Sequence, residues 1–331
     1  MTRTHRRGLT LMEVLVTIAI LGIGILAILT LFPLSAVNMA RAVRNDRSYQ
    51  CARQMDGLLR AYWRAEFVEK KGAPGDPILF QALDDANSNV PLPQQHPGLA
   101  VAGAYEASYP VVVDPYGFLA PRPNATNLAA SPLWIGDNPT NVPRRTMALF
   151  GGNSSYVMSA LSLKDTVGYD DDLQLTPDRE YRYNAMAIIQ RPLNSNRYTA
   201  NLTIVVFDSR PLFFAPAGVE AVFGTTFVPG TNSIALTHAA GAGPNLKPGR
   251  WVMDASVAPA GRILIRHANL YQVVSITTDT GDPSTAMTTV LELQTAIVTP
   301  TDNNTAAYQG TLVVLDGVSG VYPRQALVEG Q

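Results

Sequence analysis

The chain has 331 residues, 47% of them hydrophobic, and a formal net charge of −1. A chain of this size and apolarity can bury one large core or two modest cores, which excludes a disordered protein and a small disulfide-stapled scaffold. The net charge near zero and the lack of a long basic run argue against nucleic acid as a partner. The single cysteine, Cys51, excludes an intrachain disulfide.

Residues 1–8 form the first predicted element, a short basic leader that stays in the cytoplasm. The leader contains Arg3, Arg6 and Arg7 and no acidic residue. The segment 14–37 that follows has 24 residues, and its only polar side chains are Thr17, Thr30 and Ser35. A helix of this length crosses a hydrocarbon core of roughly 30 Å, and it exceeds the apolar region of about 7–15 residues in a general secretory signal peptide. The sequence therefore predicts one membrane span, with the C-terminal region on the side opposite the leader.

An acidic residue, Glu13, lies near the start of the predicted span. Its ionised form costs about 2.5–3.5 kcal/mol at a bilayer centre, so a partner is expected. Cleavage between Gly8 and Leu9 creates an ammonium four residues before Glu13, which is one helical turn away on the same face. The pair can neutralise itself within one subunit or set the register between subunits. The alternative is a solvated carboxylate in the headgroup layer.

The residues from Gly8 to Val16, Gly-Leu-Thr-Leu-Met-Glu-Val-Leu-Val, closely resemble the cleavage and methylation motif of type IV pilins and type II secretion pseudopilins. The resemblance implies that a prepilin peptidase cuts after Gly8 and methylates Leu9. It also implies that Glu13 contacts the N-terminus of a neighbouring subunit during assembly. The chain departs from the family pattern at Leu9, where phenylalanine is commonest, and at Met12, where isoleucine or valine is usual. The resemblance covers about the first 35 to 60 residues.

A single long helix is predicted over 9–71, with an amphipathic half at about 38–71. Its apolar seam is expected at Ala36, Ala40, Val43, Arg47, Cys51, Met55, Leu58 and Tyr62, which recur at spacings of three or four. Pro33 is expected to kink the helix, and Gly72 and Pro74 to end it. Pilins share this architecture, and the alternative is a signal-anchor helix whose outer half packs only on its own domain.

The region 72–331 is expected to be a β-rich, mostly antiparallel domain, which gives an α+β fold class. Strand-like runs recur at 156–161, 181–190, 201–208, 250–254, 270–277, 288–293 and 311–318. Turn signals include Pro248-Gly249 and Asp316-Gly317. These runs predict an antiparallel sheet or a small barrel, with a possible C-terminal submodule at about 248–331.

Few residues in the sequence point to chemistry. There is no Gly-x-Ser-x-Gly, His-Glu-x-x-His, Cys-x-x-Cys or P-loop pattern, and the four histidines, at positions 5, 96, 238 and 267, are scattered singly. The acidic cluster Asp170, Asp171 and Asp172 either binds a hard cation such as calcium or is a solvated turn, which is the simpler interpretation. No enzymatic activity and no cofactor are predicted.

The function predicted from these features is that of a structural subunit of a type IV pilus or type II secretion pseudopilus. A minor subunit is favoured because an exported region of about 260 residues is bulky for a fibre that packs many copies. The expected partners are other pilin or pseudopilin subunits, the prepilin peptidase and inner-membrane lipid. Two alternatives remain: a single-pass membrane-anchored enzyme or binding module, and an adhesin or DNA-uptake tip protein with the same N-terminus.

Overall fold

A computed structural model shows an N-terminal helix followed by a β-rich, mainly antiparallel domain. The residues it describes are 11–65, 111–113, 144–145, 162–163, 168–169, 175–176, 182–190, 199–208, 221–239, 241–260, 263–279, 287–298 and 306–328. Gly8, Leu9, the run at 156–161 and the cluster Asp170, Asp171 and Asp172 lie outside this set. The contacts divide the chain into two compact units, Met1–Arg47 and Ser48–Gln331.

Helix α1 runs over Leu11–Trp63, with Glu13 in its first turn and Arg60 in its last. Both charges complement the helix dipole, which favours acids at the start and bases at the end. Pro33 lies inside the helix, and helical residues continue on both sides of it. The predicted continuation over 66–71 lies outside the described residues.

The globular unit buries one side of the last four turns of α1. The buried residues on this side are Ser48, Cys51, Ala52, Met55, Leu59 and Trp63, with Leu58 and Tyr62 packed at the margin. Their spacing of three or four is that of one helical face. Of the predicted seam, Cys51 and Met55 are in the core, whereas Ala36, Ala40 and Val43 are exposed in the single chain.

This helical face packs on a five-stranded sheet with the order β15-β6-β5-β1-β2. Its strands are β1 (Val111–Val113), β2 (Arg144–Arg145), β5 (Tyr183–Gln190), β6 (Ala200–Asp208) and β15 (Val318–Leu327). All neighbours are antiparallel except β1 and β2, which are parallel. A separate small ribbon pairs β3 (Gly168–Tyr169) with β4 (Leu175–Thr176).

Strands β5 and β6 of this sheet are covered on both faces. In β6, Leu202 and Ile204 lie in the cluster that contains the helix residues, whereas Val205 and Phe207 lie in a second cluster on the opposite face. Strand side chains alternate between faces with a period of two, so a strand covered on both sides needs apolar residues at nearly every position. This explains the continuous apolar run Ile204–Phe207.

The second face of the sheet is covered by a closed six-stranded barrel with the order β12-β13-β8-β7-β14-β9. The barrel strands are β7 (Ala221–Phe227), β8 (Ser233–His238), β9 (Trp251–Asp254), β12 (Asn269–Asp279), β13 (Met287–Leu293) and β14 (Tyr308–Leu315). The hairpin of β10 (Val257–Ala260) and β11 (Ile263–Arg266) extends between β9 and β12. Neighbouring residues of β9 and β14 alternate between the barrel interior and the surface that covers the sheet. Val252 and Leu312 fill the barrel, whereas Met253 and Val313 pack on the sheet.

The barrel is inserted between two paired strands of the sheet. Strand β6 precedes it and β15 follows it, β6 pairs with β15, and the Asp208 amide donates to the Gly317 carbonyl at 2.7 Å. The closed barrel therefore starts with β7. It ends with β14, because β15 returns to the sheet.

Six predicted strand runs, those at 181–190, 201–208, 250–254, 270–277, 288–293 and 311–318, correspond to β5, β6, β9, β12, β13 and β14. The turn signals at Pro248-Gly249 and Asp316-Gly317 are also confirmed, because Gly249 and Gly317 have φ values of 88° and 75°. This left-handed backbone region favours glycine. Strands β7, β8, β10, β11 and β15 are not predicted by the sequence.

Candidate functional site

Of the three site residues predicted from the N-terminal motif, Glu13 lies within the described structure. This residue lies in the first turn of α1 and its side chain is exposed. One turn later the Thr17 hydroxyl donates to the Val14 carbonyl at 2.8 Å, so this polar group is satisfied within the helix. A helix that satisfies its own polar groups can enter an apolar environment at low cost.

The helix around Glu13 presents large apolar side chains on all sides. The exposed ones before Arg47 are Leu11, Met12, Val14, Leu15, Val16, Ile18, Ile20, Leu21, Ile23, Ile25, Leu26, Leu29, Leu34, Val37, Met39 and Val43. Helices that are apolar all round are found in the core of a larger assembly or in a membrane, because water does not favour such a surface.

In the part of α1 whose side chains the structure describes, which omits residues 27, 28 and 30–32, no stretch is long and apolar enough to cross a membrane.

A second group of chemically capable side chains lies inside the barrel, around Asp254. The Tyr308 hydroxyl donates to Asp254 Oδ2 at 2.7 Å, and the Ser256 amide donates to Oδ1 at 3.0 Å. The Ser256 hydroxyl also donates to Oδ1, and it accepts a hydrogen bond from the Thr311 amide at 3.0 Å. His267 Nδ1 lies 3.4 Å from Oδ2. The carboxylate thus connects β9 to β14 and to the chain that follows the hairpin.

Burial controls the protonation of this cluster. It lowers the pKa of His267, although the Asp254 carboxylate acts in the opposite direction, so the imidazole is kept neutral. Burial and the same carboxylate raise the pKa of Tyr308, which therefore remains a hydrogen-bond donor. Burial also raises the pKa of Tyr271 to about 12. The Tyr271 hydroxyl accepts a hydrogen bond from the Val298 amide at 3.0 Å.

The cluster combines a serine, a histidine and an aspartate, but its geometry is that of a structural network. Asp254, Ser256 and His267 are 0%, 1% and 4% exposed, so no substrate in solvent reaches them. The Ser256 hydroxyl donates to the carboxylate, whereas a serine nucleophile needs a histidine as its base. Aromatic stacking completes the packing, with the His267 and Tyr308 ring centroids 5.0 Å apart.

The sequence did not predict this cluster, because its members are far apart in the chain and match no motif. Of the two described histidines, His238 contacts Thr289 on the neighbouring strand at 2.9 Å, and His267 joins Asp254. Among the described residues, no group of three or more His, Cys, Asp or Glu side chains could hold a metal. The acidic cluster at residues 170–172, for which calcium binding is the alternative to a solvated turn, lies outside them.

Residues 3–29 match the prokaryotic N-terminal methylation motif, which is the hallmark of type IV pilin and pseudopilin precursors. The match includes the predicted processing residues Gly8 and Leu9 and the predicted assembly residue Glu13. No curated protein and no solved structure is significantly similar to the chain. The indication of function therefore comes from the N-terminal motif.

Proposed function

We propose that this chain is a non-enzymatic structural subunit of a type IV pilus or of a type II secretion pseudopilus. The N-terminal methylation motif at residues 3–29 carries this proposal, because it is the hallmark of the precursors of both kinds of subunit. In this proposal a prepilin peptidase cuts between Gly8 and Leu9 and methylates the new amino group of Leu9. Glu13 then acts as the assembly carboxylate.

Before assembly the subunit is held in the inner membrane by the segment 14–37, with the β-rich domain exported. Support comes from the apolar composition of this segment and from the large side chains that surround the first half of α1. The arginines of the leader precede the segment, as expected for its cytoplasmic end.

During assembly the same apolar surface passes from lipid to the helices of neighbouring subunits. Glu13 and the Leu9 ammonium of an adjacent subunit neutralise each other, which makes the correct axial register the favourable one. The second half of α1 is packed against the exported domain, so a filament built from the helices displays the domain on its outside. We propose a minor subunit, because a large exported domain is difficult to repeat along a thin fibre.

The processing step is tested by mass spectrometry of the mature N-terminus in a host that carries the prepilin peptidase. The expected product starts at Leu9 and carries one methyl group. Gly8→Val should abolish the cut, whereas Gly22→Ala should not, because an added Cβ at Gly22 has no neighbour within 4 Å. A membrane-embedded chain that still starts at Met1 would instead support the membrane-tether alternative.

The assembly step is tested with Glu13→Val, scored by the amount of protein in sheared filaments. The variant should insert and be cut normally but should be absent from filaments, since the Leu9 ammonium loses its partner. Thr17→Val is the matched control, because it removes a polar group one turn away that bonds only to its own helix. Normal incorporation of Glu13→Val would disprove the pairing role.

A further inference from the structure

Three arginines, Arg41, Arg44 and Arg47, follow the apolar segment of α1. At 3.6 residues per turn their spacing of three places them within an arc of about 120°. Arg41 and Arg44 are exposed, and Arg47 is partly buried. Asp46 is the single acid from residue 14 to residue 55, so three arginines minus one aspartate give residues 38–47 a net charge of +2.

In the inserted subunit, the distance from the apolar segment places these side chains at a particular depth. The 24 residues of segment 14–37 extend about 36 Å, enough for a hydrocarbon core of roughly 30 Å. Arg41 follows four residues later, about 6 Å further along the helix axis, and Arg44 follows about 10 Å further. The headgroup region adds roughly 5–8 Å on each side, so both side chains reach the lipid phosphates.

Positive charge at this position is unexpected for a single-span protein. Lysine and arginine are normally concentrated on the cytoplasmic side of a span, whereas here residues 38–47 alone carry three arginines, as many as the leader. After the leader is removed, the exported arginines are the ones that remain. Anionic groups at the membrane surface would complement this charge, in addition to the interactions that Arg44 and Arg47 already make within the chain.

The residue type and its surroundings identify the chemistry of this partner. Every lysine or arginine before Lys70 is an arginine, whose planar group binds phosphate oxygens in a bidentate manner. Met39 and Val43, which alternate with the arginines, are 71% and 49% exposed and suit the apolar layer beneath the headgroups. We infer that Arg41 and Arg44 bind the phosphates of anionic phospholipids in the outer leaflet of the inner membrane.

This contact fixes the depth of the inserted subunit and holds it in the membrane until it joins a filament. Extraction into the filament breaks the lipid contacts, so they add to the work of assembly. The inference rests on the proposed membrane-inserted state but concerns a different part of the helix from Glu13.

The test uses the full-length protein purified in detergent and titrated with phosphatidylglycerol or phosphatidylcholine of identical acyl chains, with bound lipid counted by native mass spectrometry. The wild-type protein should retain more phosphatidylglycerol than phosphatidylcholine. Arg41→Gln should weaken this binding about fivefold, as should Arg44→Gln. Arg41→Lys keeps the positive charge and should therefore weaken phosphatidylglycerol binding less than Arg41→Gln does.

Arg53→Gln is the matched control, because Arg53 is also exposed and lies twelve residues after Arg41 on the same helix. It should bind phosphatidylglycerol as wild type does. Equal retention of the two lipids by wild type would overturn the inference, and so would an equal loss in Arg53→Gln and Arg41→Gln. Unchanged thermal unfolding of the variants shows that the comparison is between folded proteins.

The N-terminal mass and the resistance of the membrane-bound protein to carbonate extraction are measured on the same preparations. A chain that is cut and inserted but shows no preference for phosphatidylglycerol disproves the lipid contact alone. A chain that never inserts disproves both the proposed function and the lipid contact.

Discussion

Gly310 lies in β14, opposite Thr225 and directly against the buried Ser256 hydroxyl. A Cβ at this position would come within 2.6 Å of Ser256 Cβ and 2.9 Å of Phe227 Cδ2. Both neighbours are buried in the barrel, so neither can move away freely. The absence of a side chain at Gly310 is therefore a requirement of the Asp254 cluster.

We predict that Gly310→Ala destabilises the protein by about 1–3 kcal/mol, the usual cost of overpacking a core. The measurement is the free energy of unfolding by denaturant. Gly224→Ala is the matched control on the adjacent strand β7, because a Cβ there has no neighbour within 4 Å. Equal stability of the two variants would show that Ser256 can move out of the way.

His267 provides a prediction about pH. Its pKa is lowered in the folded protein, chiefly by burial, from an ordinary value near 6.5. The unfolded chain then binds a proton as the pH falls below about 6.5, while the folded protein does not, so folding stability decreases. The stability that the neutral His267 contributes is fully present above about pH 6.5 and is lost as the pH falls through the pKa of His267 in the folded protein.

The check is the unfolding free energy of wild type and His267→Asn between about pH 8 and pH 5. The wild-type curve should fall more steeply below about pH 6.5 than that of the variant, whatever the difference in their absolute stabilities. Parallel curves would mean that the Asp254 carboxylate fully compensates the burial of the imidazole.

The residues of the two candidate sites differ in how far sequence could predict them. Gly8, Leu9 and Glu13 form a local pattern with fixed spacing, so the N-terminal motif was recognisable without a fold. His267 and Tyr308 come to Asp254 from 13 and 54 residues away through the closure of the barrel. Such a network follows from strand order, which hydrophobic periodicity does not determine.

At the scale of elements, the second half of α1 is held to the sheet by packing and by polar contacts at its end. Met55 is 1% exposed within the core formed with β5 and β6. Arg60 donates to the Gln325 carbonyl of β15 at 2.7 Å and pairs with Asp56 at 2.9 Å. These contacts fix the helix to the edge strand as well as to the centre of the sheet.

We predict that Met55→Ala destabilises the protein by about 2–5 kcal/mol, because it leaves a cavity between helix and sheet. Arg53→Ala, two residues away on the exposed side, should change stability by no more than about 0.5 kcal/mol. Thermal unfolding of the detergent-solubilised chain, followed by circular dichroism, measures both. A small effect of Met55→Ala would imply that the helix packs loosely on the sheet.

Strands β7, β8 and β15 were not predicted because each of them lacks a strong strand pattern in its sequence. Strand β15 contains Gly320 and Pro323, residues that normally weaken a strand. The proline is tolerated because β15 is an edge strand of the sheet. Strand β7 is interrupted by Gly224. Strand β8 alternates between buried and exposed positions, but Ile234 and Leu236 are its two large apolar side chains. The long apolar strands β5 and β6 were predictable because both of their faces are buried.

At the scale of the whole molecule, the barrel is an insertion with its own core. All six of its strands come from Ala221–Leu315 and close on themselves, so every strand is paired on both sides. Its interior is filled by side chains that include Phe227, Tyr271 and Leu291. Closure removes free strand edges, which favours independent folding.

We predict that residues 219–316 expressed alone fold into the closed barrel. The fragment should show native-like near-ultraviolet circular dichroism and a single cooperative thermal transition, at a lower temperature than the same region in the full chain. The reduction follows because Met253, Val313 and Leu315 lose their contacts with the sheet and become exposed. Replacing Val313 by threonine should improve the solubility of the fragment, whereas the same replacement at Val252 should unfold it, since Val252 lies inside the barrel. A fragment without a cooperative transition would show that the barrel depends on the sheet for folding, and that the unit from Ser48 to the C-terminus folds only as a whole.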